Sequence, residues 1–123
     1  MDKRTVAQVL AAGRAAFGVV MLVAPGRVVT GWVGPDADRP DFSPIVRGFG
    51  ARDVALGAGM LVALSDGGKA VRPWVLGSLA GDAADLVAGL AAAKHLPRNG
   101  VIGITALAGG AIATGAWLAA QDW

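Results

Sequence analysis

The sequence predicts an all-α protein, a four-helix antiparallel transmembrane bundle forming one domain. Three observations carry this expectation. Four apolar stretches each run about 20 residues, the length that crosses roughly 30 Å of hydrocarbon at about 1.5 Å per residue. Only 16% of the 123 residues are charged, against about 25% in an ordinary soluble domain. Glycine occurs 19 times, and glycine is common in transmembrane helices because it lets backbones approach closely. The mean hydropathy of +0.56 points the same way.

The first span covers residues 5–24 and stops at Pro25-Gly26. Its basic start resembles a signal peptide. Arg14 interrupts the apolar run, however, and Pro25 follows a poor cleavage context, so an uncleaved span is expected. The connection 27–41 is the longest and most polar. Within it, residues 28–33 suit a short interfacial helix with Trp32 at the headgroups. The second span covers 44–64, with Ser43 as N-cap and Pro44 at the first helical position. The third covers 73–93 and the fourth 101–120, the last without a single charge. Short turns at 65–69 and 94–100 imply antiparallel neighbours, which places both termini on one side. Trp74 and Trp117 fall on that side, as an aromatic belt requires. Basic residues do not orient the bundle: Lys3, Arg4, Lys69 and Arg72 flank one side, and Arg27, Arg39, Lys94 and Arg98 the other. A multi-pass protein of the plasma membrane is expected, with the lipid bilayer as its first partner.

Composition excludes several classes. There is no cysteine, hence no disulfide and no thiolate metal site. No basic block reads as a nucleic-acid patch. No phosphate-binding glycine loop, nucleophile elbow or zinc-helix motif occurs, so no cofactor is expected. Asp82-Ala83-Ala84-Asp85 lacks the further ligands a metal ion needs. His95 stands alone in a turn.

The distinctive stretch is Arg47-Gly48-Phe49-Gly50-Ala51-Arg52-Asp53-Val54-Ala55-Leu56-Gly57. It sets ionisable groups inside a span, where an Arg or Asp costs about 2.5–3.5 kcal/mol on insertion scales. Arg14, Arg52, Asp53, Asp82 and Asp85 all lie roughly 12–18 Å along their spans, near mid-depth whichever way each helix runs. Ser78, Asp82, Asp85 and Gly89 share one face of the third span. Gly48, Arg52, Ala55 and Gly59 share one face of the second, and Gly50, Asp53 and Gly57 another about 100° away. Ala7, Ala11, Arg14 and Gly18 line up on the first. Small neighbours mark each charged face as turned toward another helix. With Arg47 included, three arginines meet three aspartates, a neutral group that a low-dielectric interior tolerates. With Arg47 solvated, one aspartate is expected to hold a proton.

The R-G-x-G-x-R-D-x-x-L-G string at 47–57, followed by Gly81-Asp82-Ala83-Ala84-Asp85, resembles an uncharacterised family of small bacterial and fungal integral membrane proteins of about four spans, catalogued as a domain of unknown function. The similarity runs from about Gly13 to Leu96. It implies a membrane location and four helices, and it implies no activity.

Three functions are compatible with these residues. The leading expectation is a pocket for a small lipophilic molecule, with acid–base catalysis of epoxide opening, isomerisation or cyclisation. Asp82, Asp85, Arg52 and Asp53 would then be catalytic, and Arg14, Arg47 and Ser78 would bind substrate. The second is a proton-coupled transporter subunit, a homodimer packed through Ala106, Gly110 and Thr114 or Ala111 and Gly115 of the fourth span. The third is a structural or partner-binding membrane protein whose ion pairs only hold the helices in register.

Overall fold

The computed structural model describes residues 1–123 as five α-helices and two short 3-10 turns, with no strand. The helices are α1 (Lys3–Val23), α2 (Pro25–Val33), α3 (Ser43–Ser65), α4 (Val71–Ala91) and α5 (Arg98–Ala119). The 3-10 turns are Pro35–Asp38, after α2, and Ala93–His95, after α4. The four expected spans correspond to α1, α3, α4 and α5.

The tightest packing joins α1 to α3. Buried residues on α1 are Ala7, Ala11, Arg14, Gly18 and Met21. On α3 they include Val46, Gly50, Asp53, Gly57, Met60 and Leu64. Both sets alternate four and three residues apart, the spacing of a heptad seam. Glycine sets how closely the two backbones approach. A Cβ at Gly18 would stand 2.5 Å from the Gly50 carbonyl oxygen, and one at Gly57 would stand 2.5 Å from that of Ala11. These contacts pair early residues of α1 with late residues of α3, so the helices run antiparallel.

A second face of α3 meets α4. Gly59 lies beneath the Trp74 indole, Gly77 faces Leu56, and Gly81 faces the Arg52 guanidinium. The link between them is a Schellman turn. Gly67 and Gly68 both have φ +92°, and the Gly68 N–H donates to the Ala63 carbonyl at 3.0 Å. Helix α4 then pairs antiparallel with α5, with Leu79 against Gly115 and Ile104 against Gly89.

Both termini lie at one end. The Lys3 ammonium donates to the Asp122 carbonyl and sits 5.2 Å from the Trp123 ring centroid. Arg4 donates to the Leu64 carbonyl at 3.0 Å. Helix α2 closes the opposite end. Gly100 of α5 abuts the Trp32 carbonyl, and the Trp32 and Phe49 rings meet edge to face at 6.4 Å.

Apolar residues form two separate clusters. One, near the termini, contains Ala7, Ala11, Met60, Leu64, Val75 and Leu118. The other, under α2, contains Met21, Val29, Ala37 and Val46. The charged residues lie in the layer between them.

Only 26 of the 123 residues are buried. The helices turn Val9, Phe17, Ile45, Val62, Leu76, Val87, Ile102 and Leu107 outward. Helices α1, α4 and α5 are long and apolar enough to cross a membrane. Helix α3 has 23 residues but carries Arg47, Arg52 and Asp53, which lower its hydropathy.

One local expectation is corrected. Ser43 is the first residue of α3, not its cap; its hydroxyl donates to the Pro40 carbonyl and leaves Phe42 in the cap position without a side-chain bond. The short helix expected within the long connection is present as α2, and its Trp32 packs edge-on against Phe49.

Candidate functional site

Five of the sequence-predicted residues form one ionic chain across three helices. Its order is Asp82, Arg14, Asp53, Arg52, Asp85. Arg14, midway along α1, donates through Nη1 to Asp53 Oδ1 at 3.2 Å and through Nη2 to Asp82 Oδ2. Arg52 donates through Nε and Nη2 to the same Asp53 oxygen, at 3.3 and 3.2 Å. It also makes a two-point contact with Asp85, Nη1 to Oδ1 at 3.1 Å and Nη2 to Oδ2 at 2.7 Å.

Helix periodicity explains the pattern. Asp53 sits on the α3 face toward α1, while Arg52, one residue earlier, points about 100° away toward α4. Asp82 and Asp85 are three residues apart on one side of α4 and receive one arginine each. Arg52 is the most exposed member of the chain. The Arg14 side chain is 6% exposed and that of Asp53 8%, while that of Arg52 is 32% exposed. Arg52 also lies 5.0 Å from the Phe49 ring centroid, a cation–π contact that shields one face of its guanidinium.

The chain forms one wall of a cavity of about 670 Å³. The other walls come from α1, α2, α3 and α5, and include Gly13, Phe17, Trp32, Phe49, Gly103 and Leu107. Helices α1 and α5 scarcely touch, and the cavity opens between them. Val9, Phe17 and Leu107 at this mouth are exposed. Two buried donors in the lining have no partner, the Nε–H of Arg14 and the indole N–H of Trp32.

Two sequence-predicted residues lie elsewhere. Arg47 is exposed and donates to the Leu22 carbonyl at 3.1 Å, at the α2 end of the bundle. Ser78 is buried on α4, one turn before Asp82, with its hydroxyl unpartnered and outside the cavity lining. Without Arg47 the expected three-against-three balance becomes three aspartates against two arginines.

Sequence reasoning missed the walls supplied by α2 and α5. The seven-residue spacing of Gly103 and Gly110 and the aromatic Phe49 inside the R-G-x-G string were the available signals. On α5, Ala106, Gly110, Ala111 and Thr114 line the cavity, and Gly115 packs on Leu79. Those small residues therefore have neighbours or a cavity to face within a single chain.

The chain matches no protein-family profile, no curated protein and no solved structure.

Proposed function

We propose that this protein is a four-span membrane protein of the plasma membrane that binds a small lipophilic molecule between α1 and α5. Membership in the family with the R-G-x-G-x-R-D-x-x-L-G string belongs to the same proposal, and rests on that string and the later Gly81-Asp82-Ala83-Ala84-Asp85. Helix α3 would serve as the fourth span, with Arg52 and Asp53 sheltered by α1 and α4 instead of facing lipid.

The observation that carries the reading is the cavity itself. It has the size of a drug-sized ligand site, mostly apolar walls and a few convergent polar groups on one side. Ion pairs serving only register need no such space beside them. The open side faces where hydrocarbon would lie, which gives an apolar ligand a lateral entrance.

The polar wall could add proton transfer. Asp53 accepts all its bonds through Oδ1 and Asp82 accepts through Oδ2. That leaves Asp53 Oδ2 and Asp82 Oδ1 for a ligand. Asp82 would act as acid or base, while Arg52 and Asp85 hold Asp53 in place. Such chemistry fits epoxide opening, isomerisation or cyclisation.

The test is to purify the chain in mild detergent, extract it with organic solvent, and identify what co-purifies by mass spectrometry. A small lipophilic species near one per chain, depleted in Gly13→Leu and Leu107→Trp, is the expected result. Equal recovery from a well-folded Leu107→Trp protein would remove the pocket from consideration. If the species is recovered changed by wild type and unchanged by Asp82→Asn, the site is an enzyme; if it is unchanged by both, the site only binds.

A further inference from the structure

We infer that the cavity selects a lipophilic monocation, an amine or onium centre on an apolar body, seated against the free oxygens of Asp53 and Asp82. This rests on the binding-pocket reading and names the class of ligand.

The first ground is charge. The only charged residues lining the cavity are Arg14, Arg52, Asp53, Asp82 and Asp85. Two positive and three negative groups leave one negative charge uncompensated when all are ionised. Low-dielectric surroundings make an unpaired charge costly, so the cluster is completed by one added positive charge. A bound cation supplies that charge.

The second ground is geometry. Every guanidinium nitrogen of Arg52 already donates to Asp53 or Asp85, and both Nη groups of Arg14 face aspartates. An anion would find no free arginine fork and three carboxylates. The unsatisfied capacity is of the opposite kind, two carboxylate oxygens open to a donor. The one unpartnered arginine nitrogen, Arg14 Nε, is a single N–H donor. It suits a neutral acceptor beside the cationic centre, such as an ether or hydroxyl oxygen.

The third ground is the aromatic lining. Phe17, Trp32 and Phe49 border the same space. Aromatic faces attract cations, more strongly when water is excluded. Arg52 already uses Phe49 in this way.

Three probes of one shape separate the alternatives: tetraphenylphosphonium, tetraphenylsilane and tetraphenylborate, which are cationic, neutral and anionic. Binding to the full chain in nanodiscs of zwitterionic lipid is measured by equilibrium dialysis, with partition into empty nanodiscs subtracted. The expected result is saturable phosphonium binding near one per chain, at least tenfold tighter than either other probe. Asp82→Asn should cut that preference at least tenfold. Leu107→Trp, at the mouth and away from the charges, should weaken it without depending on the ionic chain for folding. Equal binding of the cation and the silane overturns cation selection and leaves the pocket standing, as does an unchanged preference in folded Asp82→Asn. Tighter binding of the borate overturns the charge argument outright. Saturable binding by none of the three, together with no effect of Leu107→Trp on the co-purifying lipophilic species, overturns the pocket as well.

Discussion

Gly13 and Gly18 lie on the same helix five residues apart, and their surroundings could hardly differ more. A Cβ at Gly18 would press into the α3 backbone; one at Gly13 meets nothing within 4 Å. Gly18 belongs to the α1–α3 seam, where two backbones touch and heptad spacing repeats. Gly13 belongs to the α1–α5 mouth, where two helices stand apart across a cavity. One helix therefore has a structural face and a vacant face. Glycine makes close packing possible on one side of α1, and on the other it adjoins the cavity.

Arg14 stands where seam and mouth meet, and its loss should have the largest effect. Arg14→Leu leaves Asp82 without its arginine and takes one of two from Asp53. Removing one partner of a buried ion pair costs about 3–5 kcal/mol. Adding Asp82→Leu should recover most of that loss, because Asp53 keeps Arg52 and no carboxylate is stranded on α4. Thermal unfolding in detergent, followed by circular dichroism, measures both. If the double variant is no better than the single one, Arg14 is holding the seam by packing and not by charge.

The seam itself is tested next. Gly57→Ala should cost about 1–3 kcal/mol, the range for overpacking a tight interface. The cost should fall near the top of that range, since the obstacles are the Ala11 carbonyl oxygen and the Ala15 nitrogen at 2.5 and 2.7 Å, backbone atoms that cannot rotate away. Gly18→Ala should behave alike. A loss below about half a kcal/mol in either would show that the helices can separate without penalty.

The seam was largely legible in the sequence and the mouth was not. Ala7, Ala11, Arg14 and Gly18 announce their face by spacing, and Gly50, Asp53 and Gly57 announce theirs. The energetic cost of isolated charge in an apolar run is enough to bring Arg14, Arg52, Asp53, Asp82 and Asp85 together from the sequence alone. Arg47 shows the limit of that reasoning. Counting charges to neutrality included it, but it lies near the start of α3, where it can reach the Leu22 carbonyl and solvent. Trp32 shows a second limit. Trp32 packs edge-on against Phe49, and no local pattern in residues 25–33 predicts that contact. The α5 wall has no charged residue in its cavity-facing stretch and so no depth signal to read.

The mouth should tolerate what the seam does not. Gly13→Leu adds a side chain to open space and replaces glycine by a better helix former, a gain of up to about 0.8 kcal/mol in propensity. Stability should be unchanged or slightly raised, while ligand occupancy falls. The same melting experiment, run beside the organic-solvent extraction, separates the two. A Gly13→Leu protein that unfolds early would mean that α1 and α5 close together and that the space between them is not kept.

The smallest effect belongs to the start of α1, away from both seam and mouth. Asp2 caps this helix, Oδ1 accepting the Thr5 N–H at 3.0 Å and Oδ2 the Thr5 hydroxyl at 2.9 Å. The backbone bond from Thr5, then the hydroxyl bond, favours the ionised form and holds this carboxyl below its ordinary range. A folded-state pKa below the unfolded one means the unfolded chain binds its proton first as pH falls. The cap's ionisation thus stabilises the fold fully above about pH 4, near the unfolded aspartate value, and is lost as pH drops through the lower folded value. The amide introduced by Asp2→Asn would keep a capping oxygen but would not titrate. The stability difference between wild type and Asp2→Asn should therefore be flat from about pH 5 to 8 and shrink only below about pH 4. Since Asp2 is exposed, the whole difference should be small and should weaken further in salt. A difference that instead changed near neutral pH would show that the Asp2 carboxyl is not the group that titrates.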